Sequence, residues 1–344
     1  MQALLKLSHR VGDVALREVP EPVTAPGQVK IAIKATGICG TDIHHVADEY
    51  PSRPPVILGH ECAGQVVEVG AGVVGVNVGD RVTAIPFAAT CGHCRYCREG
   101  ELGLCPERVA FGSFMDGAFA EFMVIPATAV LPLPDSVDYA IGALTEPLAN
   151  GVKATYESTS IQPRDRVLVT GPGPIGLLAA LLSCQQGAFV VLVGTASDAG
   201  RLELARRLGI DRTLEAGTDD VPQVVRDLTG GEGVDILFEC AGAAAAVRDA
   251  FPLVRKRGQI TQLGLIGRPV ELPYDQIVLR DIRVVGSFGN SRRSWEQALN
   301  LMRDSALPLA ALISAVLPLS EWEKGFDMVR RQAGLKVLLT PDTN

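Results

Sequence analysis

Long runs of basic residues are missing from this sequence; where they adjoin, they do so in short groups such as Arg292-Arg293 and Arg330-Arg331. The net charge is −7 and the pI is near 5.4, so a phosphate-backbone partner lacks its electrostatic footprint and nucleic acid is set aside. Long apolar runs are missing too. The longest, Ile175 to Cys184, is about half of what a bilayer span needs and reads as a buried helix, so no membrane partner is expected. The opening MQALLKLSHRVGDVALREV is broken by charge every few residues and holds no apolar core of signal-peptide length. The expected location is therefore the cytoplasm. Tryptophan occurs only as Trp295 and Trp322, which read as packing residues of the C-terminal segment. Internal repeats and a Ser/Gly linker are likewise missing.

What is present points to a two-domain soluble protein. The chain has 344 residues, 47% hydrophobic and 21% charged, with 36 glycines and 22 prolines, a balance far from disorder. Residues 1–150 carry short alternating runs such as Val29 to Ile33 and Gln65 to Val69, broken by turn residues, and predict a strand-dominated domain. From about Arg166 apolar strands (Val167–Thr170, Val190–Val193, Val234–Phe238, Gln259–Leu263) alternate with helical stretches (Gly176–Gln186, Arg201–Leu208, Val221–Leu228, Ala244–Val254). This is a βαβ pattern and predicts a parallel sheet over 151–289, with Ile282 to Phe288 as a further strand. Residues 290–344 are too short to fold alone, so they are expected to return to the first domain and complete it.

Within that pattern RVLVTGPGPIGLLAALL places Gly171, Gly173 and Gly176 as GxGxxG directly after a strand and before a helix. Such glycines permit the tight turn and the close approach of backbone to a pyrophosphate, while the helix N-terminus presents N–H groups to it; Pro174 and Ile175 lie in the same turn. The acid expected about twenty residues on, to hold the adenosine ribose, is missing, because the second strand ends Val193-Gly194-Thr195. Two readings stay open. Thr195, Ser197 and Arg201 can hydrogen-bond a 2′-phosphate, giving NADP, or Asp198 reaches back and NAD is used.

Two groups of residues suit metals. Cys91, Cys94, Cys97 and Cys105 have the spacing C-x2-C-x2-C-x7-C, and four thiolates close a tetrahedron around zinc with no open position. Iron–sulfur ligation is the minor alternative, and His93 between them reads as a loop residue. The second group is dispersed: Cys39, His60 and Glu61 offer sulfur, nitrogen and oxygen donors that suit zinc with an open position. Cys62, Cys184 and Cys240 lie in apolar runs and read as packing residues, and His9 and His45 have no partner visible in sequence.

CGTDIH, GHECAGQVVEVGAGV, the four-cysteine lobe and GPGPIG, in that order, resemble the zinc-dependent medium-chain dehydrogenases over essentially the whole chain. The resemblance implies an α/β fold class, a GroES-like mostly-β catalytic domain plus a doubly wound Rossmann sheet. It implies two zinc ions per chain and NAD or NADP, with Leu263, Leu265, Ser287 and Phe288 also lining the cofactor site. By the same resemblance Cys39 and His60 bind catalytic zinc, Asp42 orients His60, and Thr41 and His44 carry the proton away. Glu146 of Thr145-Glu146-Pro147-Leu148 stands where alcohol dehydrogenases of the family place a cysteine. That pattern is similar to the sorbitol (L-iditol) dehydrogenase branch, in which Glu61 and Glu146 would share the metal. Gly289-Asn290 occupy the place of an Arg-Tyr pair that contacts substrate there, with Arg292 or Arg293 as candidates to compensate.

The reaction implied is reversible oxidation of a secondary alcohol, best a polyol, with hydride leaving the carbinol carbon for the nicotinamide. Three anions, Cys39, Glu61 and Glu146, against the two charges of zinc would make a weak Lewis acid, so one carboxylate is expected to bind through water or to dissociate. A threonine 3-dehydrogenase-like amino-alcohol oxidation is the alternative, and a zinc-lobe binding module or a recruited structural protein is the non-enzyme one. A homodimer or homotetramer is expected, with Ile282 to Phe288 pairing across copies.

Overall fold

The computed structural model describes residues 1–342. The chain forms two compact units: Met1–Glu146 together with the segment from Asn290 onward, and Pro147–Gly289.

The second unit is built on a six-stranded, all-parallel sheet. In space the strands run Arg212–Glu215, Phe189–Gly194, Arg166–Thr170, Val234–Glu239, Val254–Gln262 and Arg283–Gly286. In chain order that is 3-2-1-4-5-6, the doubly wound dinucleotide topology. Val167, Leu168 and Val169 are fully buried, which is why the inner strand reads as an unbroken apolar run rather than an alternating one. The helices Pro174–Gln185, Ala199–Arg207, Val221–Thr229 and Ala244–Leu253 connect the strands.

Two departures from the sequence expectation have physical causes. Arg212–Glu215 is a short edge strand of sequence RTLE in which only Leu214 is buried, so it carries almost no apolar signal. The strand expected from Gln259 begins at Val254, with a register shift before Gln259, because the charged Arg255-Lys256-Arg257 masks its first half.

In the first unit the strand Gln28–Gly37 is the hub. It pairs antiparallel with Glu61–Val69, with Phe122–Pro126 and with the tail strand Lys336–Thr340. The registers Gly37↔Glu61 and Leu338↔Gly37 bring three distant segments to one end of this sheet. Trp295 is fully buried and Trp322 packs edge-on against Phe326 with ring centroids 5.4 Å apart, as packing residues should.

Directly after that sheet end comes the helix Gly40–Val46, which buries Asp42 and His45. His45 Nε2 lies 2.9 Å from Ser113 Oγ, and Lys6 Nζ donates to the His45 carbonyl at 2.7 Å. Burial pushes the His45 pKa down from 6.5 to about 4, with neighbouring Asp42 opposing. A histidine kept neutral in this way stabilises the fold above pH 6.5, and its contribution is lost as the pH falls towards 4. His45→Gln, which keeps a partner for Ser113, should therefore show a flatter fall of Tm across that window than the parent chain. Equal slopes would reject this role for His45.

Candidate active site

The helix Gly40–Val46 begins on Cys39, whose backbone N–H donates to Asp42 Oδ2 at 2.8 Å in a reciprocal cap. That cap fixes the thiol at the end of the sheet, beside His60 and Glu61, which open the paired strand. The ligand atoms of Cys39, His60 and Glu61 all lie within 4.8 Å of one another. Behind them the fully buried Asp42 places Oδ1 3.6 Å from His60 Nδ1, so the imidazole turns Nε2 towards the other two donors. Burial opposes a charge on His60, yet Asp42 and Cys39 hold its pKa well above the ordinary value. A sulfur, a nitrogen and a carboxylate converging with a carboxylate behind the histidine fit a zinc ion with room for a further ligand.

Thr41 and His44 are one turn apart on the same helix. Thr41 Oγ1 is 3.7 Å from Cys39 Sγ, while the exposed His44 places Nδ1 2.8 Å from Glu49 Oε2. Glu146 lies outside the three-residue cluster. It is buried in the helix Thr145–Val152, and Asn290 Nδ2 donates to its Oε1 at 3.1 Å. Asn290, in the segment that returns to the first unit, thus contacts this carboxylate directly. The Arg292 guanidinium binds the Thr128 carbonyl and Glu296.

Lys336 is the functional residue that sequence reasoning missed. Its Nζ, buried with the rest of the side chain, donates to Glu61 Oε1 at 2.6 Å, contacts Oε2 as well, and donates to the Ile38 carbonyl at 3.1 Å. Burial works against its charge, but Glu61, then Cys39, raise its pKa above the usual lysine value. This ammonium offsets the charge of the buried Glu61 carboxylate. It also holds Glu61 against Gly37, where an added Cβ would overlap Oε2. The only local signal was a lysine opening the otherwise apolar strand KVLLT.

The four-cysteine lobe is closed on itself. Sulfur separations are 3.9 Å for Cys91–Cys97, 3.5 Å for Cys94–Cys97 and 3.7 Å for Cys91–Cys105. Zinc–sulfur bonds of about 2.3 Å set tetrahedral edges of about 3.8 Å, so the quartet fits zinc and no disulfide. Backbone N–H groups of Cys94 and Cys97 point at Cys91 Sγ and Cys94 Sγ at 3.4 Å each, a further match to thiolates. His93 is exposed and turns Nδ1 to the Cys91 carbonyl. Burial raises the Cys62 thiol to about 12 and lifts Cys240 too, consistent with inert packing residues.

In the parallel-sheet unit every proposed cofactor residue lies at or just beyond the carboxyl end of a strand, the edge where such sheets bind ligands. Gly171, Gly173, Pro174, Ile175 and Gly176 follow Thr170; Gly171 has φ +88°, and a Cβ on Gly176 would overlap the Gly171 carbonyl oxygen. No atom lies within 4 Å of a Cβ placed on Gly173, so the cradle is open to a pyrophosphate. Thr195 and Arg201 follow the second strand, Leu263 and the exposed Leu265 the fifth, and Ser287 and Phe288 the sixth. Glu239, which sequence reasoning passed over, ties these loops together. Its side chain accepts from Ala241 N at 3.0 Å, Gly242 N at 3.1 Å and Gln262 Nε2 at 2.5 Å, and its carbonyl accepts from Leu263 N and Gly264 N.

A dinucleotide cradle in one unit and a sulfur–nitrogen–oxygen metal cluster in the other define a metal-dependent dehydrogenase. The family descriptions "Alcohol dehydrogenase GroES-like domain" and "Zinc-binding dehydrogenase" match residues 25–135 and 174–304. The chain is 41% identical over 342 residues to the sorbitol dehydrogenase of Halalkalibacterium halodurans, covering 99% of both chains. It is 37% identical over 341 residues to the D-arabitol-phosphate dehydrogenase of Enterococcus avium, covering 98% of this chain and 97% of that one. Among solved structures, a zinc-binding dehydrogenase from Sinorhizobium meliloti 1021 bound to NADP aligns with TM-score 0.90 and 34% identity over 99% of both chains. The chain belongs to the zinc-binding alcohol dehydrogenases of the medium-chain family and is an NAD(P)-dependent oxidoreductase acting on secondary alcohols.

Proposed function

We propose that this enzyme oxidises a secondary hydroxyl of a polyol to a ketone, reversibly, passing hydride to the nicotinamide. The observation that carries the reading is the cluster of Cys39, His60 and Glu61 with a second buried carboxylate, Glu146, held by Asn290. Such a site has polar groups for a second hydroxyl, which a monohydric alcohol cannot use. The likeness to sorbitol and arabitol-phosphate dehydrogenases supports the same substrate class. Zinc held by Cys39 and His60, with Glu61 as a third or exchangeable partner, supplies Lewis acidity that lowers the pKa of the substrate hydroxyl.

The chain's own residues do the rest. Asp42 orients the His60 imidazole so that Nε2 is available, and the Thr41 hydroxyl beside Cys39 accepts the substrate's proton while passing its own on towards His44. His44 delivers the proton to solvent, to which it is exposed. The four-cysteine lobe holds structure rather than chemistry, since four thiolates leave no position for a substrate. Among the described residues no helix is long and apolar enough to cross a membrane. A homodimer or homotetramer in the cytoplasm is the form we propose. In support of assembly, the edge strand Arg283–Gly286 exposes Val284, and the preceding helix Asp275–Leu279 exposes Val278 and Leu279.

Initial rates with sugar alcohols, vicinal diols, threonine and monohydric secondary alcohols, each with NAD and NADP, test the substrate class. Polyols should exceed monohydric alcohols in kcat/KM by at least about tenfold, because buried polar groups left unpaired penalise the poorer substrate. A preference for threonine would move the enzyme to amino-alcohol oxidation, and activity on none would sink the reading.

A further inference from the structure

The coenzyme left open by the sequence is decided by where Asp198 puts its carboxylate. Asp198 is buried, and its side chain turns back on its own turn. Oδ2 accepts from Thr195 N at 3.0 Å and from Thr195 Oγ1 at 2.9 Å, and Oδ1 accepts from Arg201 Nη1 at 3.2 Å. Both oxygens are therefore engaged by neighbours within three residues. Reaching a ribose diol would break the cap of the helical turn Ala196–Asp198 and the ion pair with Arg201. The next carboxylate along the sheet, Glu215, is the register partner of Gly194 and accepts instead from Thr218 Oγ1 at 2.9 Å.

What the end of the second strand presents to solvent is the pair Thr195 and Ser197, both exposed, with hydroxyl oxygens 2.8 Å apart. They stand at the N-terminal side of the helix Ala199–Arg207, whose dipole favours an anion. In the Asp198–Arg201 pair beside them the guanidinium offsets the carboxylate, which lessens its repulsion of a phosphate dianion. A carboxylate would accept from both hydroxyls of an unphosphorylated ribose more strongly than neutral hydroxyls do, whereas the Thr195 and Ser197 hydroxyls, by turning their protons away from Asp198 and from each other, can each donate to a charged phosphate oxygen.

We infer that this dehydrogenase takes NADP(H), and that Thr195, with Ser197, is the residue that admits the 2′-phosphate. The inference rests on the dehydrogenase reading above and names the coenzyme of that same site.

Titration of the purified holoenzyme with NADPH and with NADH, followed by the fluorescence of the bound reduced coenzyme, reads the preference without turnover. NADPH should bind at least as tightly as NADH. Thr195→Asp, an acid that also caps helices well, should weaken NADPH by roughly 30-fold or more through like-charge repulsion while leaving NADH within about threefold. Thr195→Ala/Ser197→Ala should weaken NADPH by about tenfold and spare NADH. A parent enzyme that prefers NADH by more than about tenfold overturns the inference. An unchanged ratio in both variants removes Thr195 and Ser197 from it. Binding of neither coenzyme to folded holoenzyme overturns the dinucleotide reading itself, a separate failure from binding NADH alone.

Discussion

Cys39→Ser should lower the zinc content from about two ions per chain to about one, and reduce kcat/KM by roughly a thousandfold or more. The argument starts from the cap. Asp42 holds the backbone N–H of Cys39, not its sulfur, and serine is itself a good N-cap, so the helix Gly40–Val46 survives the change. What is removed is the soft thiolate of a cluster that has only one sulfur. A hydroxyl does not ionise to replace it near neutral pH, which leaves His60 and a Glu61 already held by Lys336. The lobe at Cys91 to Cys105 keeps all four of its thiolates and hence its ion. Metal analysis beside initial rates checks both halves. Two zincs retained with full turnover would remove Cys39 from the site.

Lys336→Met should cost about 3–5 kcal/mol of stability, because it leaves the Glu61 carboxylate buried without its partner. Glu61 is 1% exposed and Lys336 3%, so water cannot replace the lost ammonium. For a chain of this size the loss is a Tm lower by roughly 4–7 °C. The double variant Lys336→Met/Glu61→Gln should recover most of it, since a neutral amide needs no counter-charge; a coupling under about 0.5 kcal/mol would mean the pair does not act as one. The raised pKa of Lys336 fixes the pH range of its contribution. It is fully present below the unfolded lysine value of about 10.4 and is lost only as pH rises through the higher folded value. Across ordinary assay pH the contribution is constant, and a pH-dependent loss near neutrality must come from elsewhere, as at His45.

The two largest effects thus fall on neighbouring side chains of very different legibility. Cys39, Thr41 and His44 are readable because they lie within six consecutive residues, and Glu61 follows His60 directly. Backbone geometry alone then keeps such donors together. The same holds for the four cysteines and for GxGxxG, where spacing along the chain is already spacing in space. The parallel sheet was readable from strands buried on both faces, and its polar edge strand Arg212–Glu215 was not, since an edge needs little apolar surface.

Sequence by itself determined the family, the two kinds of metal cluster, the dinucleotide turn and the order of the strands that carry them. Only the tertiary structure decided what each charge is paired with. Lys336 meets Glu61 across 275 residues because two antiparallel registers on the strand Gln28–Gly37 bring the tail strand and the Glu61 strand to the same end. Asn290 meets Glu146 across 144 residues, and no local pattern announces it. Even at short range, Asp198 had two destinations open to it in sequence. The cap at Thr195 and the pairing with Arg201 chose between them, because a buried carboxylate goes where its donors are.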